Sequence, residues 1–286
     1  MPIVGETLLN DNPLKDFYRL PGVHTKIPTN GAFMPSDSIE FTLSKDIPVY
    51  PMRSADEMLL KSPDALMSGY ALEELLKSCV PNIKQPRLIS SPDLDVLLVA
   101  IRAATYGEII SFSPICPSCG VENETKRNLS YLLSTMTFVD PENVIRLTDD
   151  ILVYLRPYNL ANASIMGLAS FEEARKLQAA DVSEDDGARS KQINLSMKRI
   201  TDLSEETMAD CIIKIVVPDK EVTDSRHILD FTRNISKLWT EKIQAKLEEI
   251  NKKGIDKSYD LKCGSCEHEW KSEIEFNPST FFAASS

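Results

Sequence analysis

The chain has 286 residues, 42% of them hydrophobic and 26% charged, which supplies a core for one or two domains. With 10 Gly and 17 Pro it is no low-complexity chain, and a formal charge of −11 argues against phosphate backbones as partners. No basic-then-apolar leader opens the sequence and no apolar run approaches a membrane span, so the expectation is a soluble protein that stays in the cytoplasm where it is made.

Residues 1–38, rich in Pro, Gly and Asn, read as an extended N-terminal arm with one short helical turn. Its apolar concentration is Leu14, Phe17, Tyr18 and Leu20, suited to docking on a neighbour or to strapping the chain's own core. Residues 39–107 read as a hairpin plus helices. Ile39, Phe41 and Leu43, then Ile47 and Val49, alternate around Lys45-Asp46 as a β-hairpin would. Ser54 with Glu57 fits a capping box, and Ser62-Pro63-Asp64 starts a second helix, giving two before Pro81. Ser91-Pro92-Asp93 opens a helix whose apolar face is Leu94, Leu97, Leu98, Ile101 and Ala104, with Gly107 at its C-terminal cap.

Strand-like segments flank a first cysteine pair at 108–113 and 121–129, and Val144 to Leu155 reads as a second hairpin turning at Asp149-Asp150. Residues 158–209 read as helices with a polar break at 182–187, followed by a strand from Cys211 to Val217. A long amphipathic helix then runs from about Ser225 to Lys252, with Phe231, Ile235, Leu238, Trp239, Ile243, Leu247 and Ile250 on one side. Trp239 and Trp270 read as core. The whole is α+β: a mainly helical body, short β-hairpins and a split zinc ribbon. The ribbon takes residues 108–130 and 256–278, a helical insertion takes 131–255, and a C-terminal tail takes 279–286.

Six cysteines are too few for a disulfide scaffold, and four fall into two Cys-x-x-Cys pairs, which favours metal. Two residues between thiols let both sulfurs of Cys116 and Cys119, or of Cys263 and Cys266, reach one ion, and a Gly lets the chain turn after them. Two such turns close a tetrahedron around one structural zinc per chain. The separation is unusual, since residues 120 to 262, 143 residues, lie between the pairs. Loop-closure cost grows only logarithmically, so an insertion of that size is tolerable. The competing readings are a redox dithiol, for which no βαβ surroundings exist, and a rubredoxin-like iron centre, which the same thiolates would hold. His268 as a substitute ligand is a further alternative, with a surface role preferred. Cys79 and Cys211, each beside apolar residues, read as small buried hydrophobes.

Catalytic signatures are missing: three histidines, no Gly-x-Ser-x-Gly, no phosphate-cradling Gly-rich loop and no His-Glu-x-x-His. His24 lies in the arm and His227 near the start of the long helix. The acidic groups Glu122 with Glu124, Glu172-Glu173 and Glu184 to Asp186 read as solvated faces. The expectation is a protein that is not an enzyme.

Several segments are idiosyncratic: residues 12–22, Asn-Pro-Leu-Lys-Asp-Phe-Tyr-Arg-Leu-Pro-Gly; the run Pro51 to Leu66; Cys79-Val80-Pro81-Asn82-Ile83; and residues 97–107. Together with both cysteine pairs and the ending Phe276-Asn277-Pro278-Ser279-Thr280-Phe281-Phe282, they resemble a family of baseplate proteins from T-even-like contractile-tailed bacteriophages. Members are described as baseplate hub subunits. The resemblance implies a virion protein of the tail baseplate, made and assembled in the host cytoplasm and bound to other baseplate, hub and tail proteins. It supplies no catalytic residue. On this reading Phe17, Tyr18 and Leu20 of the arm, and Phe281 and Phe282 of the tail, dock on neighbouring subunits. An assembly chaperone absent from finished tails is the alternative, and a zinc-ribbon nucleic-acid binder is the third.

Overall fold

The computed structural model describes residues 14–181, 186–274 and 276–282. After a short 3-10 turn at Lys15–Phe17 come β1 (Val23–Thr25) and β2 (Ile47–Val49), then helices α1 (Ser54–Leu60), α2 (Pro63–Met67), α3 (Tyr70–Cys79) and α4 (Ser91–Tyr106). Strands β3 (Ile109–Phe112) and β4 (Thr125–Asn128) lead into α5 (Leu129–Ser134). Next are β5 (Asn143–Thr148), β6 (Ile151–Leu155), α6 (Leu160–Asp181), α7 (Asp186–Asp210), β7 (Ile212–Val217) and β8 (Lys220–Val222). Helices α8 (Ser225–Asn234) and α9 (Lys237–Asn251), strands β9 (Ser258–Lys262) and β10 (Glu269–Glu273), and α10 (Pro278–Phe281) complete the chain.

Local chemistry sets these boundaries. Ser90 caps α4 by accepting from the Asp93 N–H, Pro92 sits in its first turn, and Gly107 closes it at φ +87. Burial then makes α4 the central element, with Val96 to Ile101 at most 2% exposed. The α1 cap is one residue earlier than the sequence suggests: Arg53 is the N-cap and Asp56, not Glu57, closes the box. Asp56 is buried and can therefore also bind Ser78 Oγ and face Arg19. Three helices, not two, precede Pro81. The extra break falls at Gly69, where φ is +74 and a Cβ would sit 1.9 Å from Ser164 Oγ of α6.

Two expectations fail on pairing. Residues 39–52 do not form a hairpin: β2 pairs antiparallel with β1 (Val23↔Val49, Thr25↔Ile47), while Ile39 bridges to Ile83. Period-two alternation marks a half-buried strand without naming its partner. The arm is accordingly a strap from residue 23 onward, with Ile27 fully buried, while the segment 14–20 is largely exposed. The long helix from Ser225 is two helices, because Ile235 and Ser236 are extended and Ser236 is the N-cap of α9. Of the polar break expected at 182–187, residues 182–185 lie outside the described residues, and Asp186 and Gly187 belong to α7.

The region 131–255 carries a sheet as well as helices, in the order β5-β6-β7-β8, all antiparallel. It has its own core, including Val153, Leu155, Ile215, Ile228, Ile243 and Leu247, into which Phe33 of the strap also packs. A separate core gathers the strap, α1 to α5, Ile255, Ile274, Phe281 and Phe282. Phe281 and Phe282 are 3% and 4% exposed, so the expected apolar plug is spent on the chain's own core; residues 283–286 lie outside the described residues. Among the described residues no helix is long and apolar enough to cross a membrane.

The strap is fastened by a buried carboxylate. Asp93 accepts from the Thr29 N–H at 2.8 Å and from Thr29 Oγ1, and burial pushes its pKa up to about 6 from 3.8. A raised folded-state pKa favours the protonated form, so this contribution to stability is complete below pH 3.8 and is lost as pH rises through about 6. Asp93→Asn keeps an acceptor for the Thr29 N–H and should flatten that part of the profile. Asp93→Ala orphans the buried N–H and should cost about 2 kcal/mol in urea unfolding at pH 7.

Candidate metal centre

The two cysteine turns are built alike. In the first, Cys116 N–H donates to Val121 O at 2.9 Å and Gly120 N–H donates to Cys116 O at 2.9 Å. In the second, Cys263 N–H donates to His268 O at 2.9 Å and Glu267 N–H donates to Cys263 O at 3.0 Å. Each turn needs a left-handed residue after its second cysteine. Gly120 supplies it at φ +73, but in the second turn it is Glu267 at φ +58, and not Gly264. Gly264 instead donates its N–H to Asn123 Oδ1 at 3.0 Å, bracing one turn against the other.

Each turn tips a hairpin, β3–β4 for the first (Ile109↔Asn128, Phe112↔Thr125) and β9–β10 for the second (Lys262↔Glu269, Ser258↔Glu273). Phe112 meets Tyr259 edge-on at 5.1 Å, and the Arg127 guanidinium lies 4.7 Å from the Tyr259 ring, so the hairpins are joined along their length. Sequence reasoning passed over Asn123, Arg127 and Tyr259. Their only signal was alternation in strands flanking the cysteines, which does not say which hairpin they face.

The sulfurs of Cys116 and Cys266 are 3.7 Å apart, those of Cys119 and Cys263 3.6 Å, and all four lie within 4.8 Å of one another. Four thiolates at about 2.3 Å from one tetrahedral ion would stand roughly 3.8 Å apart, so the spacing fits a single cation. Cys116 and Cys263 are buried while Cys119 and Cys266 are exposed, the same order in both turns. Backbone N–H groups of Cys266 and Ser265 draw the Cys263 thiol down to about 6. The Val121 N–H lowers Cys119, but contact with the other sulfurs outweighs it and pushes that thiol up to about 12. Cys263 is thus drawn toward the thiolate and Cys119 away from it, a donor set short of positive charge. A cation bound there would brace both hairpins and, with four protein ligands, leave no position for water.

His268 stands outside the cluster and stacks on Trp270, centroids 6.2 Å apart. Trp270 is half-buried on that hairpin and joins neither core, contrary to expectation, whereas Trp239 packs on the second core. Cys79 and Cys211 are fully buried, and burial pushes their pKa values up to about 11 and about 12, as inert thiols require. Glu173 is not on a solvated face: it is 4% exposed and bound by Lys176, Ser196 and Arg199 between α6 and α7.

An α+β chain whose distant halves meet in a closed thiol cluster has the make-up of a structural protein. The chain belongs to the family described as T4 bacteriophage base plate protein, whose model matches residues 38–283. No curated protein and no solved structure matches it. It is therefore a phage baseplate protein with a structural role, placed in the tail among other tail proteins.

The unequal turns carry a prediction. Glu267→Gly should stabilise the chain by up to about 1 kcal/mol, since the residue exchanges a strained φ for a free one and loses only an exposed 3.8 Å contact with Lys262. Gly120→Ala should cost about 1 kcal/mol with nothing within 4 Å to clash, both read by denaturant midpoint.

Proposed function

We propose that the chain is a structural subunit of the baseplate hub region, clipped into shape by one zinc ion on Cys116, Cys119, Cys263 and Cys266. The observation that carries this reading is the convergence of four sulfurs to within 4.8 Å from positions more than 140 residues apart. Thiolate ligands with no open position suit zinc in a scaffold and leave no water to activate. In the same reading the chain engages neighbouring baseplate subunits through Phe17, Tyr18 and Leu20. Phe17 and Leu20 are 81% and 74% exposed, while Arg19 between them is held by Ser78 O at 2.6 Å and by Ser78 Oγ at 3.0 Å. An anchored segment presenting large apolar side chains can bind with little ordering cost.

Elemental analysis of the purified protein should give about one zinc per chain, and Cys116→Ser or Cys263→Ser should lose metal and cooperative unfolding together. Iron in the preparation, or a full fold after either change, would defeat the zinc clip. Mass spectrometry of intact tails should find the chain in the baseplate, and Phe17→Ser with Leu20→Ser should lower its incorporation at least tenfold without moving its melting temperature. Its presence in assembly intermediates alone would mean a chaperone instead.

A further inference from the structure

A cavity of about 310 Å³ lies where α4, both hairpins and α10 meet. It is lined by Arg102, which is only 3% exposed. The guanidinium packs on the rings of Tyr106 and Phe281, 5.2 and 5.5 Å from their centroids, and Nη1 donates to Phe281 O. Among the described residues Nε is buried without a hydrogen-bond partner, Nη2 makes no hydrogen bond, and no carboxylate pairs with Arg102. A buried guanidinium without a counter-charge is rare, because burial of a cation is ordinarily matched by an anion. With the rings and Nη1 engaged and Nε closed off from solvent, Nη2 is the N–H group left to meet an anion in the cavity.

The rest of the lining narrows the ligand. Phe112 and Tyr259 give it an apolar wall, and the one carboxylate among the described lining residues, Glu273, is exposed and would repel a dianion more than a monoanion. An Asp or Glu side chain would bring backbone polar groups against that wall. A chain terminus carries its carboxylate and an apolar side chain on one carbon. We propose that this cavity receives the C-terminal residue of a neighbouring polypeptide, its α-carboxylate on Nη2 of Arg102 and its side chain against Phe112 and Tyr259. Because Phe112 comes from one hairpin and Tyr259 from the other, the site exists only while the two are joined. That the polypeptide is a baseplate neighbour rests on the function proposed above; the pocket chemistry does not.

Titration of the intact protein with N-acetyl-phenylalanine, its amide and inorganic phosphate, followed by NMR or calorimetry, tests this. The acid should bind at least tenfold more tightly than the amide or phosphate, and Arg102→Gln should abolish binding. Ser272→Trp fills the cavity without altering the guanidinium and should do the same with an unchanged melting temperature, which covers a failure of Arg102→Gln to fold. Equal binding of acid and amide, phosphate binding as tight as the acid, no binding, or wild-type binding by Ser272→Trp would overturn it. The Phe17→Ser, Leu20→Ser variant should bind the acid normally, so a failure of the docking reading leaves this result standing.

Discussion

Two short cysteine turns, each closed by the same pair of backbone hydrogen bonds, must reach the same point in space although 143 residues separate them. Everything between has to leave from β4 and return to β9 at a fixed separation. A cross-link there, such as the proposed ion would supply, would remove on the order of 5 kcal/mol of freedom from the unfolded chain. The Asn123–Gly264 bond and the Phe112–Tyr259 contact hold the convergence from the protein side.

The intervening region uses that constraint by building its own core and then fastening to the first one with polar contacts. Ser91 N–H donates to Tyr158 O and Leu160 N–H to Ile89 O. Thr137 and Gly254 bridge the point of departure to the point of return. Phe33 carries the strap across to the second core, so a single N-terminal segment touches both. Such a body presents neighbours with a surface whose parts keep their distances, which suits a component of a large particle.

Much of this was legible before any coordinates. Cysteine spacing, the helix opened by Ser91-Pro92-Asp93 and closed at Gly107, and the strands around the first turn all follow from local chemistry, and the structure reproduces them within a residue or two, with Ser90 as the cap. What escaped depended on distant partners. Nothing within residues 39–52 tells β2 that its mate is the strap, and nothing in Phe281-Phe282 distinguishes an outward plug from an inward one; only the space beside α4 decides. Glu173 escaped likewise, since the basic residues that neutralise it come partly from a second helix. The Ile235–Ser236 break lay hidden under an apolar period that continues across it.

The four-stranded sheet ends on β8, three residues long with Lys220 and Glu221 at its start, and on β5, across which α9 packs. A strand that short and charged offers a poor template for another backbone. In a particle where many subunits are crowded at fixed spacing, an open sheet margin would invite runaway strand addition and fibre growth. A margin as short and charged as β8 leaves side chains, and not free backbone, to face whatever lies beside it.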